Sequence, residues 1–408
     1  MTSEPRRSIA IFGAGPIGIE AALYARELGH EVEVYERGSV GENVRRWGHL
    51  RLFSSWALNR SILGVRELAS RGVPIVPDCD YPTGAEYCES YLHPLAQSPR
   101  LAHRIHEHCT VRHVGRDRLS KRDLVGGSRE RHPFRILIDS PTGESVVRAD
   151  TVIDCTGTYG NSNWMGNGNI PAVGERELRE RIATTIQDIA GSDRERYAGK
   201  RVLLVGAGHS AATALELLLG LEGTTVVWVV RSRHEDPLTT FVDDPLPERD
   251  RLSRLANRIA REGHATVEVK RGTVVEALQH DESGFEVTLS KDDVTSRVAV
   301  DCILAHVGYE PDNSIYRELQ VHECYASLAP MKLAATLLAS NSADCLAQSS
   351  AGPESLRNPE PDFFILGAKS YGKNSNFLIR IGLQQVREVF SLIENRPDLN
   401  LYADRITT

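Results

Sequence analysis

The chain has 408 residues, of which 41% are hydrophobic and 25% charged, with a net charge of -7. That length and composition fit a globular protein of two or three domains, and the negative balance argues against nucleic acid or an anionic membrane surface as the main partner. No apolar run reaches the roughly 18 to 20 residues of a membrane helix, and Met1 to Arg7 is polar, without the apolar stretch and cleavage site of a secretory leader. The expected location is therefore the cytoplasm.

In chain order, Ser8 to Phe12 is a short apolar strand pattern closed by Gly13. A helical pattern follows from Gly15 to about Leu28, and a second strand pattern, Glu31 to Tyr35, ends at Glu36. Residues 38–110 differ in character, with two helical stretches, Trp47, Trp56, His49 and several arginines, and read as an excursion from the first domain. Residues 110–155 read as a meander of strands, and 161–174, rich in Gly, Asn and Pro, as a linker. A second strand–helix–strand unit spans Arg201 to Val205, about Ser210 to Leu219, and Thr225 to Val230. Strands are expected at Thr266 to Lys270 and Phe285 to Ser290. Val298 to Leu304 is expected to return to the first domain, followed by a strand at Phe363 to Leu366 and a closing helix from Phe377 to Ile393.

The chemistry is carried by two glycine-rich turns. In Gly13-Ala14-Gly15-Pro16-Ile17-Gly18 the first glycine permits the tight turn after the strand. The second lets backbone amides approach a pyrophosphate, and the third lets helix and strand pack closely. Glu36, at the end of the second strand, is placed to accept hydrogen bonds from ribose hydroxyls. The second turn is Gly206-Ala207-Gly208-His209-Ser210-Ala211, with alanine in the last place and His209 expected near the pyrophosphate. No acid follows its second strand; Arg231 and Arg233 stand there, and guanidinium groups suit a 2′-phosphate, so this site is expected to take NADPH.

Two such turns about 190 residues apart, together with Asp154-Cys155-Thr156-Gly157 and the run Asp301 to Pro311, resemble the two-dinucleotide-domain flavoproteins. These include the pyridine nucleotide-disulphide oxidoreductases and the class B flavin monooxygenases. The resemblance implies an α/β fold with two Rossmann-like domains: residues 1–165 binding FAD, 166–297 an inserted NADPH domain, and 298–408 completing the FAD domain. Arg37, Arg46, Trp47, Leu52, Val111, Thr156, Gly157, Gly367 and Asn376 complete the expected FAD-binding set. In the superfamily the position of Ala368 often holds an aspartate beside the ribityl chain. Its replacement leaves the polar contacts to other groups, with Lys369, Ser370 and Asn376 as candidates, and Ser375 or Asn376 is expected to cap the closing helix.

Gly41 with Arg45-Arg46-Trp47, and Tyr197 to Arg201, are similar to segments of the monooxygenase branch. That branch's F-x-G-x-x-x-H segment is not matched, because no histidine lies between Gly174 and Tyr197, which argues against Baeyer–Villiger chemistry. The expected activity is oxygenation of a small-molecule nitrogen or sulfur centre through a flavin hydroperoxide. The alternatives are an NADPH-dependent reductase of a small disulfide, quinone or protein, and a non-catalytic redox sensor. No residue stands out as a catalytic acid or base.

Seven cysteines occur, none in a C-x-x-C spacing, so a redox dithiol has no sequence support; Cys324 and Cys345 lie in loop-like sequence and form a candidate pair. His103, His106, His108 and His113 lack the accompanying ligand pattern of a metal site, and no metal is expected. Trp47, Phe53 and Trp56 either flank a ligand or belong to the core. Arg45, Arg46 and Arg51 either bind an anion or form a solvated face. Residues 38–110 and 312–360 are expected to line the substrate pocket, and a homodimer is a superfamily-level expectation.

Overall fold

A computed structural model describes residues 6–339 and 350–403, and structural statements below refer to these. The chain divides into two compact units, one of residues 1–161 with 310–408 and the other of residues 162–309.

The first unit starts with β1 (Ser8–Phe12), α1 (Pro16–Glu27) and β2 (Glu31–Tyr35). β1 and β2 run parallel in the register Ile9 opposite Val32 and Phe12 opposite Tyr35. A parallel pair needs a crossover, and α1 supplies it. After the helical excursion come β3 (Ile105–His106), β4 (Thr110–Arg116), β5 (Phe134–Ser140), β6 (Gly143–Ala149) and β7 (Thr151–Asp154). Strands β4, β5 and β6 form an antiparallel sheet, whereas β7 leaves that meander and pairs parallel with β1.

The second unit holds β8 (Arg201–Val205), α2 (His209–Leu219), β9 (Thr225–Val230), α3 (Pro247–Glu262), β10 (Val267–Arg271), β11 (Val274–Asp281), β12 (Gly284–Lys291), β13 (Val294–Val300) and β14 (Cys302–Ala305). Its parallel sheet has the order β10-β9-β8-β14, beside an antiparallel sheet β11-β12-β13. Two expectations are corrected here. The run Val298 to Leu304 does not return to the first unit. Its first half ends β13, and its second half is β14, which pairs with the open edge of β8, Cys302 opposite Val202. An apolar strand needs a ladder on which to satisfy its backbone, and β8 offers one at once. The second unit therefore extends to residue 309, against the expected 297. Nor is 161–174 a free linker: Val173 donates to Glu276 O at 3.0 Å and accepts from the Leu278 amide at 2.8 Å.

Back in the first unit, β15 (Phe363–Ile365) pairs with β7, giving the parallel order β15-β7-β1-β2-β3, and α4 (Ile379–Ile393) closes the chain. α4 begins at Ile379, and its N-cap is Leu378, with no side-chain cap. The expected cap by Ser375 or Asn376 is corrected: the Asn376 amide is held by Asn374 Oδ1 at 2.9 Å, which turns the chain before the helix starts. α1 and α4 pack without spacing. A Cβ on Gly382 would lie 2.3 Å from Ile17 Cδ1, and Tyr24 stacks on Phe390 at 5.0 Å.

One buried charge cluster pins this unit. Glu360 accepts from Arg116 Nε at 2.7 Å and from Arg129 Nε at 3.1 Å, and all three side chains are at most 1% exposed. Removing one member of a buried ion pair typically costs about 3–5 kcal/mol, because the remaining charge is left without a partner. Glu360→Ala is expected to lower the unfolding free energy by about that amount, measured by denaturant titration; a loss under about 1 kcal/mol would mean that water reaches the two guanidinium groups.

Candidate functional site

The first glycine turn lies between β1 and α1. Gly13 has φ +93°, and a Cβ there would sit 2.8 Å from the Cys155 carbonyl oxygen. A Cβ on Gly18 would lie 1.9 Å from Gly13 O, so the third glycine is what allows α1 to press on the turn. Gly15 is different: nothing lies within 4 Å of its would-be Cβ. That space belongs to a cavity of about 740 Å³ in this unit, a volume in the usual range for ligand pockets.

Twelve of the expected FAD-binding residues line the cavity: Gly13, Gly15, Pro16, Ile17, Glu36, Arg37, Trp47, Leu52, Val111, Thr156, Gly157 and Gly367. Gly18, Arg46 and Asn376 do not. Gly18 serves packing, and Arg46 is exposed with Nε 3.6 Å from Glu42. The end of α1 at the cavity carries no side-chain cap, so its first-turn amides and the positive end of its dipole are available to an anion. Glu36 is fixed by the backbone, accepting from the Ala14 amide at 2.7 Å and the Gly38 amide at 2.8 Å. Each carboxylate oxygen keeps a lone pair for a hydroxyl. The open space over Gly15, the uncapped helix and the anchored acid fit the diphosphate and ribose of FAD.

Behind Thr156 of the cavity wall lies a buried ion pair. Lys369 Nζ lies 2.6 Å from Asp154 Oδ2 and donates to Thr156 Oγ1 at 3.0 Å, and both charged side chains are at most 1% exposed. Thr156 donates its hydroxyl and amide to Asp154 Oδ1 at 2.7 and 3.0 Å. Ser370 donates to Gly367 O and accepts from Gln385. Lys369 and Ser370, two candidates to replace the missing acid at position 368, are thus engaged inside the protein.

Ser54, Asn59, Tyr87, Phe377 and Asp312, which sequence reasoning did not single out, also stand on the cavity wall. The stretches that carry them were expected near a pocket or as the closing helix, but no short motif marks the first four side chains. Asp312 had a signal, since it directly follows Pro311 of the returning run. Burial works against its charge, but the Ser314 hydroxyl and amide, with Lys369 and Arg37, outweigh it and hold the carboxyl below the usual range.

Trp56 is buried against Tyr87 and belongs to the core. Phe53 is half-buried and does not line the cavity. Arg45 pairs with Glu42 at 2.8 Å, and Arg51 donates to Tyr81 O, so neither stands free for an anion. His106 pairs with Glu33 at 2.7 Å and stacks on Tyr35. Cys324 is buried in a turn closed by its amide and the Ala329 carbonyl, and Ser327 holds its thiol below the ordinary range. Its candidate partner Cys345 lies outside the described residues.

In the second unit, Gly206 has φ +128°, and a Cβ there would lie 2.2 Å from His306 O. Gly208 again has nothing within 4 Å, and it caps α2 by position only. Ala211 is fully buried, whereas Ser210 is exposed at the helix start. His209 Nε2 lies 3.2 Å from Ser253 Oγ of α3, and burial, with Arg249 nearby, lowers its pKa. Its ring is therefore neutral near pH 7 and partnered by α3. Arg231 and Arg233 are both exposed. Arg233 pairs with Asp292, while Arg231 has no hydrogen-bond or ion-pair partner among the described residues.

Among solved structures, the chain is similar to the bacillithiol disulfide reductase of Bacillus cereus, with a TM-score of 0.68 and 19% identity over 96% of this chain and 100% of that one. It is also similar to the ornithine N-hydroxylase of Kutzneria sp. 744, with a TM-score of 0.64 and 16% identity over 96% and 100%. At these identities the likeness concerns the fold. A shorter stretch of 72 residues is 36% identical to kynurenine 3-monooxygenase of Phaeosphaeria nodorum, spanning 18% of this chain and only 14% of that protein. No helix among the described residues is long and apolar enough to cross a membrane. Residues 10–331 match the family model described as pyridine nucleotide-disulphide oxidoreductase. With that match over most of its length and a dinucleotide turn in each unit, the chain belongs to the pyridine nucleotide-disulphide oxidoreductase family and is an FAD-dependent oxidoreductase working with NADP(H).

Proposed function

We propose that this oxidoreductase is a monooxygenase, which spends electrons from NADPH to place one oxygen atom of O₂ on a nucleophilic nitrogen or sulfur of a small molecule. The observation that carries this reading is the state of the thiols around the first cavity. Cys109 and Cys155 line it, and burial raises both pKa values, Cys155 to well above the ordinary thiol range. Cys88, behind Gly41, is pushed up to about 11 by burial. Relay of electrons through a protein dithiol requires a thiolate. Among the described residues, the thiol whose pKa is lowered, Cys324, does not line the cavity. Direct delivery of electrons to oxygen needs no protein thiol.

FAD, when bound, supplies the two-electron chemistry between NADPH and oxygen. The chain supplies placement. The turn at Gly15 and the uncapped α1 receive the diphosphate, and Glu36 accepts from the ribose. Phe377, Leu378 and Ile379 bring the first turn of α4 to the cavity, where its dipole favours negative charge on a reduced ring. Trp47 and Leu52 exclude water from that wall. In the second unit, Arg231 is the free guanidinium for a 2′-phosphate.

Three outcomes are expected. Gly15→Val places a side chain in open space, so the apoprotein should melt as the parent does while FAD, followed by flavin fluorescence, no longer binds. Retained binding would remove the diphosphate from that turn. Arg231→Ala is expected to raise the KM for NADPH about tenfold or more, and that for NADH little, since a charge-assisted contact is worth about 1.5–3 kcal/mol. Arg233→Ala should matter less. For the reaction itself, amine and thioether libraries are expected to yield a substrate oxygenated with one O₂ and one NADPH consumed per product. Anaerobic NADPH turnover driven by a disulfide or quinone, with no oxygenated product from any nucleophile, would turn the assignment to a reductase.

A further inference from the structure

Resting on the FAD reading of the first cavity, we infer that Asp312 is a cofactor-positioning carboxylate, with its free oxygen accepting a hydrogen bond from a hydroxyl of the ribityl chain. Asp312 lines the cavity together with Ala368 and Thr156. One of its oxygens, Oδ1, is anchored by the Ser314 amide at 3.0 Å and the Ser314 hydroxyl at 2.6 Å. The other, Oδ2, has no hydrogen-bond or ion-pair partner among the described residues. A carboxylate held by one oxygen and open at the other is a directional acceptor on a fixed mount.

Its chemistry narrows what it receives. An ionised carboxylate repels phosphate and has nothing to offer a carbonyl; it binds donors, which in a flavin dinucleotide are the N–H groups of the two ring systems at its ends and, between them, hydroxyls. There are two sets of these, on the ribose and on the ribityl chain. Glu36 stands at the end of β2 and is anchored to the glycine turn, which assigns it the ribose. Asp312 lines the same cavity as Gly367 and Ala368 and feels Lys369, the next residue on the segment that leads from β15 to α4, more strongly than Arg37 beside Glu36, which assigns it the ribityl side. The neighbouring groups on that segment are committed elsewhere: Lys369 to Asp154 and Ser370 to Gly367 and Gln385. Position 368 itself offers a methyl group. Asp312 thus supplies from another loop the acceptor that the 367–370 segment does not present.

The test is titration of apoprotein with FAD and separately with ADP, which carries the adenosine ribose and diphosphate but no ribityl chain. For Asp312→Ala, the FAD Kd is expected to rise about 10- to 100-fold, the value of a hydrogen bond to a charged group. The ADP Kd should change less than about twofold, since no contact to ADP is removed. Asp312→Asn, which keeps one acceptor oxygen in the same shape, should lose less than the alanine variant, and the melting temperature of either apoprotein should match the parent. An unchanged FAD Kd overturns the inference, as does an equal loss for ADP, which would move Asp312 to the ribose. If the parent protein itself bound ADP but not FAD, the FAD reading would fail, and with it this assignment.

Discussion

The ion pair between Asp154 and Lys369 is the contact on which the first cavity depends. Asp154 ends β7, and Lys369 lies after β15, 215 residues further along the chain. Their bond joins the two runs that form the cavity floor, residues 155–161 from one side and 367–368 from the other. Two opposite charges at 1% exposure or less cannot exchange their partner for water, so neither run can move without breaking the pair. Thr156 fills the remaining acceptor sites on Asp154 and is itself part of the wall. The pair also accounts for the chemistry of the wall above it. Lys369 is spent on Asp154, so acceptors and donors for a ligand must come from elsewhere, and Asp312 lies close enough to feel the same lysine.

Around that floor, shape is set by closeness. Gly13 and Gly18 allow the strand, the turn and α1 to collapse onto one another, and Gly382 lets α4 lie against Ile17. Gly15 is bare for the opposite reason, facing space that a ligand would fill. The same residue type thus serves packing at one position and leaves open space two residues away. The second unit repeats the distinction with Gly206 against His306 and Gly208 in the open. A fold built in this way is neutral as to reaction: its structural relatives include a disulfide reductase and an N-hydroxylase. What separates such chemistries is a few side chains, and here the partly buried thiols beside the cavity, with their pKa values raised, weigh against a thiol relay.

The sequence by itself determined the family, the two dinucleotide turns, and most of the strands and helices that carry them. These are local: a glycine needed for a positive φ, an apolar run of five residues, and an acid at a fixed distance all lie within about 30 residues of one another. For the same reason Gly13, Gly15 and Glu36 are legible in the sequence as one site, whereas Thr156 and Gly367, far along the chain, join it only through the family resemblance. Only the tertiary structure decided which edge β14 would extend, because an apolar strand carries no mark of its partner and takes whichever ladder is open. Only it decided that Lys369 turns inward to Asp154, that Arg233 is held by Asp292 while Arg231 is left to solvent, and that Asp312 joins the cavity with one oxygen free. The two ion pairs depend on charges meeting partners far along the chain, and the free energy of a charge is set by what surrounds it in space.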